Sequence, residues 1–114
     1  MVTLKETTSG ISAIRMKRYL KAQAILRKLM IILIREYDVS KITLVGSLLD
    51  RNRFGFHSDI DLCVEELPYN LYFRVVGELQ LAAEEFDVDI IPVESVPPKM
   101  GEKIKKGKIL YEKR

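Results

Sequence analysis

Asp59 and Asp61 stand two residues apart in the run Ser58-Asp59-Ile60-Asp61-Leu62. The run reads as a β-strand, where side chains i and i+2 share a face about 6.6 Å apart along the chain. Two carboxylates held that close repel, so they call for a cation or a proton between them. Val88-Asp89-Ile90 offers a third carboxylate in a second apolar run, and Gly46-Ser47 precedes the first pair by twelve residues. Gly46 lets the backbone turn sharply after a strand and approach a ligand closely. Ser47 presents a hydroxyl and an N–H at the start of a helical turn, where phosphate oxygens bind well. It can also cap that turn, and the two roles are compatible. Hard carboxylate oxygens suit Mg²⁺ or Mn²⁺. The set therefore points to a divalent metal beside a nucleoside triphosphate and to in-line phosphoryl displacement, with ions roughly 3.5–4 Å apart. Asp89 is the natural base for an acceptor hydroxyl. Asp87 shares its strand face, so the pattern alone leaves both open.

The surrounding elements must hold these groups still. Apolar residues recur at three- and four-residue spacing from Ser9 or Gly10 to Tyr37, through Ile11, Ile14, Leu20, Ala24, Leu26 or Ile25, Leu29, and Ile32 or Leu33, which predicts one long helix. Residues 25–34 are apolar on more than one side, so a second face must meet something, the sheet on one side and a partner chain on the other. Strands are expected over Lys41 to Val45, Asp59 to Glu65 and Asp87 to Val93, with a last short one at Ile109 to Tyr111. A second helix is expected from Tyr69 to Glu84, with Leu71, Phe73, Val75 or Val76, Leu79 and Ala82 or Ala83 as its buried stripe and Tyr72 beside Phe73 in the core. A third runs from Pro97-Pro98 to Lys106, capped by Gly107. Helices and strands in this order predict an α/β (α+β) fold, a small mixed sheet flanked by helices.

The chain has 114 residues, one domain's worth, with residues 1–9 as a lead-in. Its 47% hydrophobic and 31% charged content fits a globular protein. The longest apolar run, Leu29 to Ile34, is far too short to span a membrane. A polar N-terminus without signal-peptide layout and a lone Cys63 in a strand predict a reducing, cytoplasmic setting. The net charge of +3 is unevenly spread: cations crowd the first helix and the last segment, and the acidic middle carries the aspartates. That suits an anionic substrate held through metal, although a charge run is commonly just a solvated face. His57 reads as an exposed loop residue, Cys63 as sheet packing, and Tyr111 as substrate flank or plain surface.

Taken together, Gly46-Ser47, Ser58-Asp59-Ile60-Asp61-Leu62 and Val88-Asp89-Ile90 resemble the signature of the DNA polymerase β-like nucleotidyltransferases. Length and order resemble the minimal nucleotidyltransferases (MNT domain) of that superfamily, from about Ile11 to Tyr111. The resemblance implies the nucleotidyltransferase fold, ATP or another NTP as donor and Mg²⁺ as cofactor. It assigns the metal and catalytic carboxylates to Asp59, Asp61 and Asp89, favouring Asp89 over Asp87. It assigns donor-phosphate contacts to Gly46 and Ser47, with Ser58 beside them. Many such proteins pair with a helical HEPN-type partner as a toxin–antitoxin system, and some transfer AMP to a tyrosine of the toxin. Two functions follow: an enzyme that transfers a nucleotide to a protein or small-molecule hydroxyl, or an antitoxin that acts by complex formation with little catalysis. Nucleic acid ranks low as a partner, and a homo-oligomer stays open. The usual Gly-Ser-x-x-Arg-Gly departs here to Gly46-Ser47-Leu48-Leu49-Asp50-Arg51-Asn52-Arg53, where Arg51 or Arg53 would supply the missing cation and Asp50 would oppose it.

Overall fold

In the computed structural model, which describes the backbone of residues 4–114 and the side chains of residues 10–114, a long helix α1 (Leu4–Arg35) leads into an antiparallel pair. The strands of that pair are β1 (Lys41–Val45) and β2 (Ile60–Glu65). Helix α2 (Tyr72–Ala82), strand β3 (Val88–Pro92), helix α3 (Pro98–Lys105) and strand β4 (Lys108–Glu112) follow. The backbone of α1 is helical from Leu4, so the expected lead-in is helix over residues 4–9, and residues 1–3 lie outside the described residues. No proline interrupts that stretch, and extending an existing helix costs far less than nucleating one.

The sheet order is β3-β2-β1-β4. β1 runs antiparallel to both β2 and β4, while β2 and β3 run parallel, joined through α2. This is the mixed sheet flanked by helices that the pattern predicts. Alternation assigns the faces. Ile42, Leu44, Ile60, Leu62, Val64 and Ile90 point to one side and join the core cluster with Ile25, Leu29 and Leu33 of α1 and Val75 and Leu79 of α2. The other face carries Asp61, Cys63 and Asp89.

Two expected stripes shift. In α1 the buried row is Ala22, Ile25, Leu26, Leu29 and Leu33, while Ile11, Ile14 and Leu20 are about half exposed. The helix outruns the body: 32 residues span about 48 Å, and the molecule measures 56 × 28 × 24 Å. Ile11 and Ile14 lie beyond the sheet, and Leu20 points away from it. In α2, Phe73 is 86% exposed rather than core. Val75 and Leu79 define the buried face, and Phe73, two residues before Val75, falls on the opposite side of a helix turning about 100° per residue. Tyr72 is half-buried, and its hydroxyl donates to the Ile90 carbonyl at 3.1 Å.

Candidate active site

The three strands meet the chemistry at one end of the sheet. β1 finishes at Val45, whose register partner on β2 is Asp61. Asp61 in turn pairs with Asp89 on β3. One row across the sheet therefore reads Val45, Asp61, Asp89. The parallel β2–β3 pairing creates the juxtaposition, because it puts the second residue of each strand side by side.

Gly46 follows Val45 with φ +82°, a left-handed conformation that side chains rarely adopt. A Cβ on Gly46 would stand 2.5 Å from Asp61 Oδ2. Glycine is thus required twice, for the turn and for the approach to the carboxylate. A 3₁₀ turn over Ser47–Leu49 follows. Its first N–H groups have no acceptor within the turn. Gly46, not Ser47, is the N-cap residue, and no side chain caps the turn, so the Ser47 hydroxyl is not spent on capping. Leu48 pins the turn by inserting into the core.

The loop between the Gly-Ser turn and the aspartates is held at several points. Phe54 is buried as its plug, with ring centroids 6.1 Å from Tyr19 and 6.2 Å from Phe86. The Arg18 guanidinium lies 4.5 Å over the Phe86 ring, a cation–π contact, and Nε donates to the Gly55 carbonyl at 3.4 Å. Arg15 donates to the Asn52 carbonyl at 3.0 Å. The Asp50 carboxylate accepts the Asn52 N–H at 2.9 Å, so this acid shapes the turn. Ser58 Oγ accepts the Gly55 N–H at 2.8 Å, bracing the approach to Asp59. Arg51 and Arg53 sit exposed in that turn.

Burial, then Asp89, then Asp59 push the Asp61 carboxyl above its ordinary value, and Lys103 pulls it back. Lys103 lies on α3, and the sequence pattern did not single it out. Its placement follows from Gly107, where a Cβ would meet the Leu44 carbonyl oxygen at 2.6 Å. Gly107 is not in the left-handed region that a capping glycine adopts. It is glycine so that the end of α3 can abut β1 beside the aspartate row. Spacing could have hinted at this only through an isolated glycine between two lysines.

Cys63, two residues after Asp61, is buried, and burial with the neighbouring Asp61 and Asp89 pushes its thiol up, which keeps it an unreactive packing residue. Asp87 takes a separate position: it lines a cavity of about 200 Å³ with Arg18, His57, Ser58 and Asp59. Asp59 thus borders both that cavity and the carboxylate row. A larger cleft of about 640 Å³, lined by Tyr69, Tyr72, Phe73, Glu66 and Glu94, lies at the opposite ends of β2 and β3. It holds none of the aspartates, so size does not mark the chemistry in this fold. Tyr111 pairs with Ile42 in the sheet and packs against the core.

Among the described residues, no three acidic, histidine or cysteine side chains form a ready-made metal cage. Mg²⁺ does not need one, since it keeps waters and binds through one or two carboxylates plus substrate phosphates. A half-buried carboxylate with two acidic neighbours and a pKa pushed up fits such an ion.

The family model described as polymerase beta, nucleotidyltransferase matches residues 27–114. The chain belongs to this family. Solved structures of two mutants of the toxin-antitoxin MntA-HpeT share its fold. One is 22% identical with a TM-score of 0.59, over 75% of this chain and 71% of that one. The other is 24% identical with a TM-score of 0.59, over 77% and 73%. No curated protein matches the chain.

Proposed function

We propose that this nucleotidyltransferase moves a nucleoside monophosphate from ATP to a hydroxyl, with Mg²⁺ (or Mn²⁺) held by Asp59, Asp61 and Asp89, and that its acceptor is a tyrosine of a HEPN-type protein for which it serves as antitoxin. The observation that carries the reading is the row of Val45, Asp61 and Asp89 on three adjacent strands, with Gly46 turning against Asp61 and Asp59 beside it. The metal would neutralise the phosphates and the leaving group. The chain's own groups do the rest. Gly46 and the 3₁₀ turn at Ser47 bring backbone N–H groups to the donor phosphates. Asp89 accepts the proton of the acceptor hydroxyl as its oxygen attacks the α-phosphorus and the bond to the departing pyrophosphate breaks. Lys103 adds a positive charge on the α3 side, the role expected of Arg51 or Arg53, and Ser58, accepting the Gly55 N–H, braces the loop that leads into Asp59. The toxin–antitoxin assignment draws on the two solved fold neighbours.

Labelled ATP, Mg²⁺ and a HEPN-type protein, sought first among the products of adjacent genes, test the reading. Transfer of label to the partner that disappears in Asp59→Asn supports it. Neutralisation that persists undiminished in Asp59→Asn, with no label transferred, instead favours an antitoxin that acts by complex formation. The departure from Arg-Gly at Asp50-Arg51 keeps that second reading alive.

A further inference from the structure

From Gly10 to Arg35 helix α1 carries seven cations and no acid. Three are engaged by the chain itself: Arg15 and Arg18 hold the loop, and Lys21 pairs with Glu85 at 2.8 Å. Lys17, Arg27, Lys28 and Arg35 are exposed and form no ion pair among the described residues. These four are not scattered. At about 100° per residue, the face opposite the buried row bears Met16, Leu20, Ala24 and Ile31 in a line about 22 Å long. Met16 is 37%, Leu20 58% and Ile31 50% exposed. Arg27 falls within this line, and Lys17, Lys28 and Arg35 run along one edge. An apolar row with a cationic rim is what a helix-in-groove or helix-on-helix contact presents.

The family match begins at residue 27, so Met16, Leu20 and Ala24 precede the part that the family model recognises. Nucleotide chemistry therefore gives no reason for an apolar row there. A second copy fits badly, since pairing this face with itself would set four unneutralised cations against four. RNA would use the cations and leave the apolar row unexplained.

We propose that the outward face of α1, from Met16 to Ile31, docks a helix of a partner protein whose contact face is apolar with an acidic rim. The proposal names the contact surface for the HEPN-type partner and rests on that reading. The row residues are exposed, so charge can be placed there without disturbing the core. The experiment is titration calorimetry of the full chain against that HEPN-type protein, at low and high salt. The double substitution L20E/I31E is expected to weaken binding at least thirtyfold while leaving the melting temperature unchanged. K17E/K28E is expected to weaken it about tenfold and to flatten the salt dependence. Wild-type affinity in both variants overturns the surface and leaves the partner reading standing. No association of the wild-type chain overturns the partner reading and this proposal with it. Self-association of the chain that L20E/I31E abolishes overturns it in favour of a second copy. RNA binding lost in K17E/K28E but kept in L20E/I31E overturns it in favour of nucleic acid.

Discussion

Asp61→Asn separates the functional cost of the carboxylate row from its benefit. Asparagine keeps the shape of the side chain, so the contact with Gly46 survives. What disappears is the charge. Adjacent strands lie about 4.8 Å apart, so the Asp61 and Asp89 carboxylates face each other across roughly 5 Å. Two unit charges at that distance repel by about 3 kcal/mol at an effective dielectric of about 20. Asp61 is only half-buried, and solvent and salt screening reduce this to about 1 kcal/mol. In EDTA, Asp61→Asn is therefore expected to be more stable than the native chain. At about 2.1 cal/mol/K per residue over 114 residues, 1 kcal/mol corresponds to about 4 °C in Tm. With Mg²⁺ at ten times its Kd the native chain gains about 1.4 kcal/mol, and the variant gains little, so the order reverses. The pH dependence has a definite sign. Burial and the two neighbouring acids raise the Asp61 pKa above 3.8, so the native state holds this proton more tightly than the unfolded chain. The stability that proton contributes is present below 3.8 and is lost as pH rises through the raised native value. The advantage of the variant in EDTA must then be larger at neutral pH than at about pH 4. Thermal melts in EDTA and in Mg²⁺ at both pH values measure this. A variant that melts below the native chain in EDTA at neutral pH refutes the reasoning, because Asp61 would then be a structural residue.

Three further outcomes follow from the geometry. Gly107→Ala drives a Cβ to 2.6 Å from the Leu44 carbonyl and is expected to lose about 1–3 kcal/mol in urea unfolding. Gly101→Ala, on α3 with open space around it, is expected to gain about 0.5–1 kcal/mol. Lys103→Ala is expected to weaken Mg²⁺-ATP binding about tenfold with little effect on AMP, read by equilibrium titration; equal losses for both place the lysine away from the outer phosphates. Phe54→Ala empties the aromatic plug between Tyr19 and Phe86 and is expected to cost about 3–5 kcal/mol, with faster amide exchange confined to the 50–58 loop.

Much of this molecule was legible in one dimension. β1 matches its expected bounds, and β2, β3, α3 and β4 differ by one or two residues, because alternation, β-branched runs and proline starts are local signals. Gly46, Ser47, Asp59 and Asp61 were singled out by residue type and spacing, while Asp89 was preferred to Asp87 only through the family resemblance. Phe73 and the N-terminal half of α1 were misplaced because periodicity gives a stripe without saying what covers it. The face of a helix that is buried is set by where the sheet ends and which way the helix leaves it.

The sequence by itself determined the kinds of chemistry: hard oxygen donors, a backbone turn that only glycine makes, and strands able to hold both. Tertiary structure decided the rest. Parallel pairing of β2 with β3 puts Asp89 beside Asp61 and leaves Asp87 to a neighbouring cavity. Gly107 lets α3 press against β1, which brings Lys103 into the field of Asp61 from more than forty residues away. Asp50 also shapes its turn, its carboxylate accepting the Asn52 N–H. These assignments depend on distances between segments remote in sequence, and only the packed sheet and its helices fix them.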